Sequence, residues 1–136
     1  DEIRKSLHAH LGFSPEDISQ NNWEIAKICK ELLQNYNFIL VPIISPFRKS
    51  RLKARQIIGK PFVEVYIKSD INTVIRRDVK GLYKKALEGK INDFIGIEPK
   101  VPYEPPLSPD IVLDTEVDSV AESKLKLLAY IGNDYE

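Results

Sequence analysis

Apolar positions begin the chain with a helical period and then lose it. Ile3, Leu7 and Leu11 lie at helical spacing, so 2–11 is predicted as a short amphipathic helix closed by Gly12, a residue suited to a left-handed helix end. "GFSPED" (12–17) restarts the chain, with Ser14 placed as N-cap, Pro15 at the first helical position and Asp17 three residues after the cap. A helix over 15–35 follows, with Ile18, Ile25, Ile28, Cys29, Leu32 and Leu33 on its apolar side.

Continuous apolarity then replaces periodicity. "NFILVPII" (37–44) is too short and too β-branched for another buried helix and reads as a strand covered on both faces, which means a parallel sheet. "SPFRKSRLKARQ" (45–56) offers Ser45 as a cap and Pro46 at the first turn of a basic helix running to 58. "PFVEVYI" (61–67) is the next strand. A helix near 70–78, a basic segment, a proline-rich loop containing "PYEPPLSP" (102–109), the strand "DIVLDT" (110–115) and a last helix from Ser119 complete the order, with Ser119 and Glu122 as a capping box. Strand alternating with helix predicts a single α/β domain over 1–136: a three-layer, doubly wound, mostly parallel sheet with right-handed crossovers. Ligands gather at the carboxyl ends of such strands. Here that edge comprises Ser45 to Arg48, Ser69 and Asp70, and Thr115 to Asp118.

Composition narrows the partners. The chain has 136 residues, enough for one core, and its 43 per cent hydrophobic content argues against wholesale disorder. Lys plus Arg equal Asp plus Glu at 20 each, so no global field draws nucleic acid or anionic lipid. Cys29 is the only cysteine, which excludes an intramolecular disulfide and fits a reducing, cytoplasmic setting. His8 and His10 stand two apart, point to different helix faces and read as exposed helix surface, so no metal ligands are assigned. The apolar runs fall far short of the roughly 20 residues that span a bilayer, so no membrane partner is expected. No signal peptide is visible.

Two stretches suggest chemistry. Ser45-Pro46 opens a helix directly behind a buried strand, where free amides and the dipole end would seat a phosphate or sulfate; a plain N-cap is the other reading. As a nucleophile Ser45 lacks an evident base. Between 76 and 90, Arg76, Arg77, Lys80, Lys84, Lys85 and Lys90 face Asp78 and Glu88, a local excess of four positive charges. A solvated face explains the charge alone, whereas a mobile lid also explains Phe94 and Gly96 in the loop beyond it. No zinc knuckle or RNA-binding signature accompanies the basic patch, so nucleic acid is not expected. The phosphate loop G-x-x-x-x-G-K-[ST] is absent from the 136 residues: Pro61 follows Gly59-Lys60 and Ile91 follows Gly89-Lys90.

Taken together, "DEIRKSL", "LGFSPED", "IISPFR", "RRDVKGLYKKALEGKINDFIGI", "PYEPP" and "IVLDT" resemble the adenylylsulfate kinase family almost from end to end. The resemblance implies a P-loop kinase of sulfate assimilation that transfers the γ-phosphoryl of ATP to the 3′-hydroxyl of adenylylsulfate, giving PAPS and ADP, with Mg²⁺ accompanying ATP. The family's first strand and phosphate loop would precede Asp1, and without them the 136 residues alone are expected to be inactive.

Residue by residue, the resemblance implies that Asp1 orients or deprotonates the attacking hydroxyl and that Arg4 pairs with the substrate's sulfate or phosphate. Phe13 and Phe94 match the aromatics that sandwich the substrate adenine. Asn21, Ile44, Ser45 and Lys80 match further substrate contacts, and Arg77 and the residues near Asp118 match the ATP-adenine side. Ser45 is also the position assigned in the family to a phosphoserine intermediate, although direct in-line transfer needs no covalent stop and anion seating explains the serine. A lid over about 77–108 would close on the nucleotides, neutralise charge and exclude water. A homodimer and fusion to or association with ATP sulfurylase are partners the resemblance leaves open. The chain departs from the family pattern at Ile18, where an arginine is usual, at Trp23-Glu24, where an Arg-Arg pair is typical, and at 98–102, which is two residues longer. A non-catalytic nucleotide sensor and a kinase for another nucleotide are the alternatives those departures raise.

Overall fold

A computed structural model describes residue 6 and residues 8–133. Most of the helix predicted over 2–11, with Asp1 and Arg4, lies outside the described residues; Ser6 is helical and a turn at 8–10 follows. Gly12 does not take the left-handed conformation expected of it. Its role is clearance: the Asp17 carboxylate folds back to accept the Gly12 amide at 3.1 Å, and a Cβ at Gly12 would stand 2.8 Å from Asp17 Oδ2.

Helix α1, Pro15–Leu32, starts as predicted. Ser14 Oγ accepts the Asp17 amide at 3.1 Å, and Pro15 lacks the donor that would otherwise be left over. Ile18, Ile25, Ala26 and Cys29 form its buried stripe, while Leu32, placed on that side from sequence, is 37 % exposed at the helix end. Burial pushes the Cys29 thiol up, away from the reactive thiolate. Asn21 and Asn22 are buried as well, a polar interruption the hydrophobic pattern does not announce.

The segment 37–44 forms no strand. No described residue builds a ladder with it, and Leu40 and Ile44 stand 74 % and 60 % exposed. Apolarity and β-branching suit a pleated surface but do not supply the partner groups that make a strand. Helix α2, Arg48–Ile58, begins later than predicted. Phe47, not Ser45, occupies the cap position without a side-chain bond, and the Glu104 carboxylate accepts the Arg48 amide at 2.7 Å from 56 residues away. α1 packs on α2, where Ser50 Oγ donates to Ser19 Oγ at 2.9 Å.

Strand β1, Val65–Lys68, and strand β2, Ile111–Asp114, pair in parallel, with Val65 opposite Ile111 and Lys68 opposite Asp114. Both predicted strands exist, shorter than drawn. Helix α3, Ile71–Arg77, and the short α4, Leu82–Leu87, lie in the excursion between them. Helix α5, Val120–Asn133, packs on β2 after the predicted capping box: Glu122 Oε2 accepts the Ser119 amide at 2.7 Å and the Glu122 amide donates to Ser119 Oγ at 3.3 Å.

Candidate active site

Ser45 closes the extended segment just ahead of α2. Its hydroxyl oxygen accepts from Asn22 Nδ2 at 3.0 Å; Asn22 Oδ1 accepts from Asn21 Nδ2 at 3.4 Å; Asn21 Oδ1 meets His8 Nδ1 at 3.0 Å. His8 is therefore not exposed helix surface, as its sequence spacing suggested. It is 7 % exposed and serves as the inner end of a polar chain running to Ser45. The anion seat expected at the α2 N-terminus is changed too, because the carboxylate of Glu104 already holds the Arg48 amide.

Arg51 ties this corner together. Its guanidinium donates to Glu64 Oε1 at 2.5 Å and to the carbonyls of Ser45 and Glu104 at 2.7 Å each, with Tyr103 beneath it at 5.9 Å. One planar fork thus fixes Glu64 at the entry to β1, Ser45 and the proline-rich loop at once. Arg55 extends the clamp by donating to Asp110, whose Oδ2 also accepts the Glu64 amide at 2.7 Å.

At the carboxyl ends of β1 and β2, Glu116 is the organising anion. It accepts from Ser69 Oγ at 2.7 Å, the Asp70 amide at 3.0 Å and Thr73 Oγ1 at 3.0 Å, bonds that hold its carboxyl below the ordinary glutamate range. The sequence reading placed Glu116 on this edge without a role; a glutamate after a strand-ending Thr opposite Ser-Asp is the only local signal. Arg77 donates to Thr115 Oγ1 at 3.0 Å and to the Thr115 carbonyl at 2.8 Å. Asp118 bonds Lys126 at 2.6 Å. Arg77 is thus joined to the loop that leads to Asp118.

The basic segment is organised by an acid. Asp78 accepts the amides of Leu82, Tyr83 and Lys84 at 2.8, 3.1 and 3.0 Å, capping α4 across a left-handed Gly81 (φ 63°). Burial pushes its carboxyl up, but the amides of Lys84, Tyr83 and Leu82 outweigh it and leave it below the ordinary aspartate range. Phe94 meets Tyr83 edge-on at 4.9 Å, after Asp93 in a left-handed conformation (φ 56°) that salt-bridges Lys100 at 2.8 Å. Val101 is fully buried where the segment returns to the body.

The other expected site residues are spread around this frame. Phe13 is 56 % exposed just before the α1 cap, Ile44 is exposed beside Ser45, and Lys80 is exposed in the turn before α4. Asn21 has both ends of its amide engaged inside the protein. Ile18 is 3 % exposed and packs in the core, and Trp23 lies under the Lys53 ammonium at 5.3 Å. Among the described residues, no group of three or more His, Cys, Asp and Glu side chains gathers to hold a metal ion, and no helix is long and apolar enough to cross a membrane.

A parallel ladder bearing helices, with polar groups concentrated at its carboxyl edge, is the α/β architecture of P-loop-type phosphotransferases, and a solved structure makes the match close. The APS kinase of Mycobacterium tuberculosis in complex with AMPPNP and APS superposes with a TM-score of 0.90 and 34% identity over 97% of this chain and 76% of that one. The family profile for adenylylsulphate kinase matches residues 1–114. An adenylyl-sulfate kinase of Halothermothrix orenii is 44% identical over 96% of this chain and 69% of its own length, and one of Clostridium kluyveri is 39% identical over 97% and 65%. The chain belongs to the adenylylsulfate kinase family. It spans about two thirds of the length of these two curated relatives.

Proposed function

We propose that the protein of which this chain is part phosphorylates the 3′-hydroxyl of adenylylsulfate with ATP, yielding PAPS and ADP in cytoplasmic sulfate assimilation. The observation that carries this reading is the near-complete superposition on a kinase solved with both an ATP analogue and APS.

In this reading Asp1 takes the proton of the attacking hydroxyl and Arg4 pairs with the sulfate or phosphate of the acceptor. Phe13, exposed ahead of α1, and Phe94, braced edge-on by Tyr83, hold the adenine of adenylylsulfate between them. Ser45 donates to an anionic group, and Ile44 and Asn21 shape the same wall. Lys80 and its neighbours bring positive charge over the phosphates when the lid closes. Its moving part is 78–100, because beyond it Val101 is buried and Glu104 is bonded to α2. Arg77, oriented by Thr115, and the loop at Asp118 face the ATP adenine.

Mg²⁺ would accompany the ATP phosphates and screen their charge. The described residues gather no cluster to hold it, and none of these steps is routed through it.

The test is release of ADP by the intact protein with ATP and adenylylsulfate, compared with AMP as acceptor. Turnover that depends on adenylylsulfate supports the proposal. Preference for AMP identifies a kinase for another nucleotide, and tight binding with no turnover identifies a sensor; either result overturns it.

A further inference from the structure

We propose that Asn22 is a positioning residue for the acceptor: through a buried chain of hydrogen bonds it occupies the Ser45 oxygen and leaves the Ser45 proton directed at an anionic group of adenylylsulfate. This inference rests on the kinase function proposed above.

The direction of the chain follows from the orientation of its two carboxamides. A carboxamide oxygen only accepts, so His8 Nδ1 carries the proton that meets Asn21 Oδ1 at 3.0 Å. Asn21 Nδ2 then donates to Asn22 Oδ1 at 3.4 Å, and Asn22 Nδ2 donates to Ser45 Oγ at 3.0 Å. Every link points the same way, toward Ser45. Among the described residues no acceptor takes the Ser45 hydroxyl proton, so at Ser45 the network ends on a donor.

Burial gives that end its weight. His8, Asn21 and Asn22 are 7 %, 8 % and 4 % exposed, whereas Ser45 is half-buried, so the chain leads from the interior to the one member solvent or a ligand can reach. Buried amides are costly unless bonded, and an apolar residue at 22, beside Ile25 and Ala26, would serve the helix packing without any network. The asparagine is explained by what it does to Ser45.

Two neighbouring facts exclude other uses of that hydroxyl. The Arg48 amide is held by Glu104, so it does not share an anion with Ser45. Ser45 Oγ accepts from an amide and has no base to receive its proton, an arrangement that suppresses a nucleophile and favours a donor.

The experiment uses the intact protein and begins with wild-type turnover. A protein that fails to phosphorylate adenylylsulfate sinks the proposed function, not this assignment. Given turnover, Asn22→Leu removes the donor while keeping the branched shape, and Asn22→Asp presents only acceptors and draws the Ser45 proton inward. Both are expected to raise KM for adenylylsulfate about tenfold with KM for ATP unchanged, the scale of one hydrogen bond to a charged group. Ser45→Ala should do the same, and neither Asn22 substitution should add to it in the double variant, because all act through one hydroxyl.

The assignment falls if a folded Asn22 variant keeps the wild-type KM, if both KM values rise alike, or if the Asn22→Leu effect persists at full size in the Ser45→Ala background. Should neither Asn22 variant fold, the side-chain amide NMR signal of Asn22 decides. It must respond to adenylylsulfate in the wild type and lose that response in Ser45→Ala; an unchanged response in Ser45→Ala overturns the proposal.

Discussion

The proline-rich loop at 101–110 and the basic segment at 78–100 adjoin in sequence and both carry charge and aromatic rings, yet they are held in opposite ways. The loop is gripped by side chains of α2: Arg51 holds the Glu104 carbonyl, Arg48 Nε holds the Pro105 carbonyl, and Arg55 holds Asp110. The basic segment is tied mainly to itself, by Asp78 on α4, Glu88 with Lys90, and Asp93 with Lys100. Contacts that reach across the chain fix a segment to the body, whereas contacts that stay inside it let it move as a unit.

Arg51→Ala should break this contrast most severely. It leaves Glu64 partly buried without its partner and frees two carbonyls, with an expected cost of about 3 kcal/mol in denaturant unfolding of the intact protein. Arg51→Lys should recover only part, since one ammonium does not reproduce a three-way fork. A melting temperature within about 2 °C of wild type for Arg51→Ala would remove the clamp from the account.

Phe94→Ala addresses the other side of the comparison. KM for adenylylsulfate should rise about tenfold or more while the melting temperature hardly moves, because the ring rests on Tyr83 within the segment and not in the main core. A variant that chiefly loses stability and keeps its kinetics would make Phe94 a structural residue.

Glu104→Gln is smaller. It removes the charge at the start of α2 and is expected to cost about 1 kcal/mol, read as a shift in the urea midpoint with unchanged slope. Arg48 carries a second bond to the loop through Nε, so the loop should remain in place.

The smallest effect is local and depends on pH. The carboxyl of Asp78 is depressed in the folded state, so its contribution is present above the unfolded aspartate value of about 3.9 and is lost as pH falls through the lower folded value. Amide protection at Leu82, Tyr83 and Lys84 should therefore fade below that pH while β1 and β2 stay protected. Asp78→Asn should show weakened protection of the same three amides at neutral pH; equal protection in wild type and variant would separate Asp78 from the stability of α4.

What sequence made legible was local chemistry. Ser14 with Asp17, Ser119 with Glu122 and the two paired strands all lie where short-range rules put them. What it left hidden came from remote residues. Glu104 capping α2 and Glu116 organising the start of α3 act across 56 and 46 positions, and no periodicity signals such a bond. His8 looked like surface because a histidine two residues from another says nothing about an asparagine 13 positions on. At 37–44 the apolar pattern predicted a buried strand that the described residues do not form, because a strand is a relation between segments and the pattern describes one of them. Of the proposed site, Asn22 was missed altogether because an asparagine on a helix is ordinarily surface.

The parallel ladder joins residues 46 positions apart, as Lys68 and Asp114 do, and the whole basic excursion is the loop that this pairing closes. Closing a flexible loop costs entropy that grows only logarithmically, about 0.6 kcal/mol for each doubling of length. One or two residues more or less in this excursion are therefore nearly free thermodynamically. The excursion can thus change length at little cost while the ladder at its feet is left undisturbed.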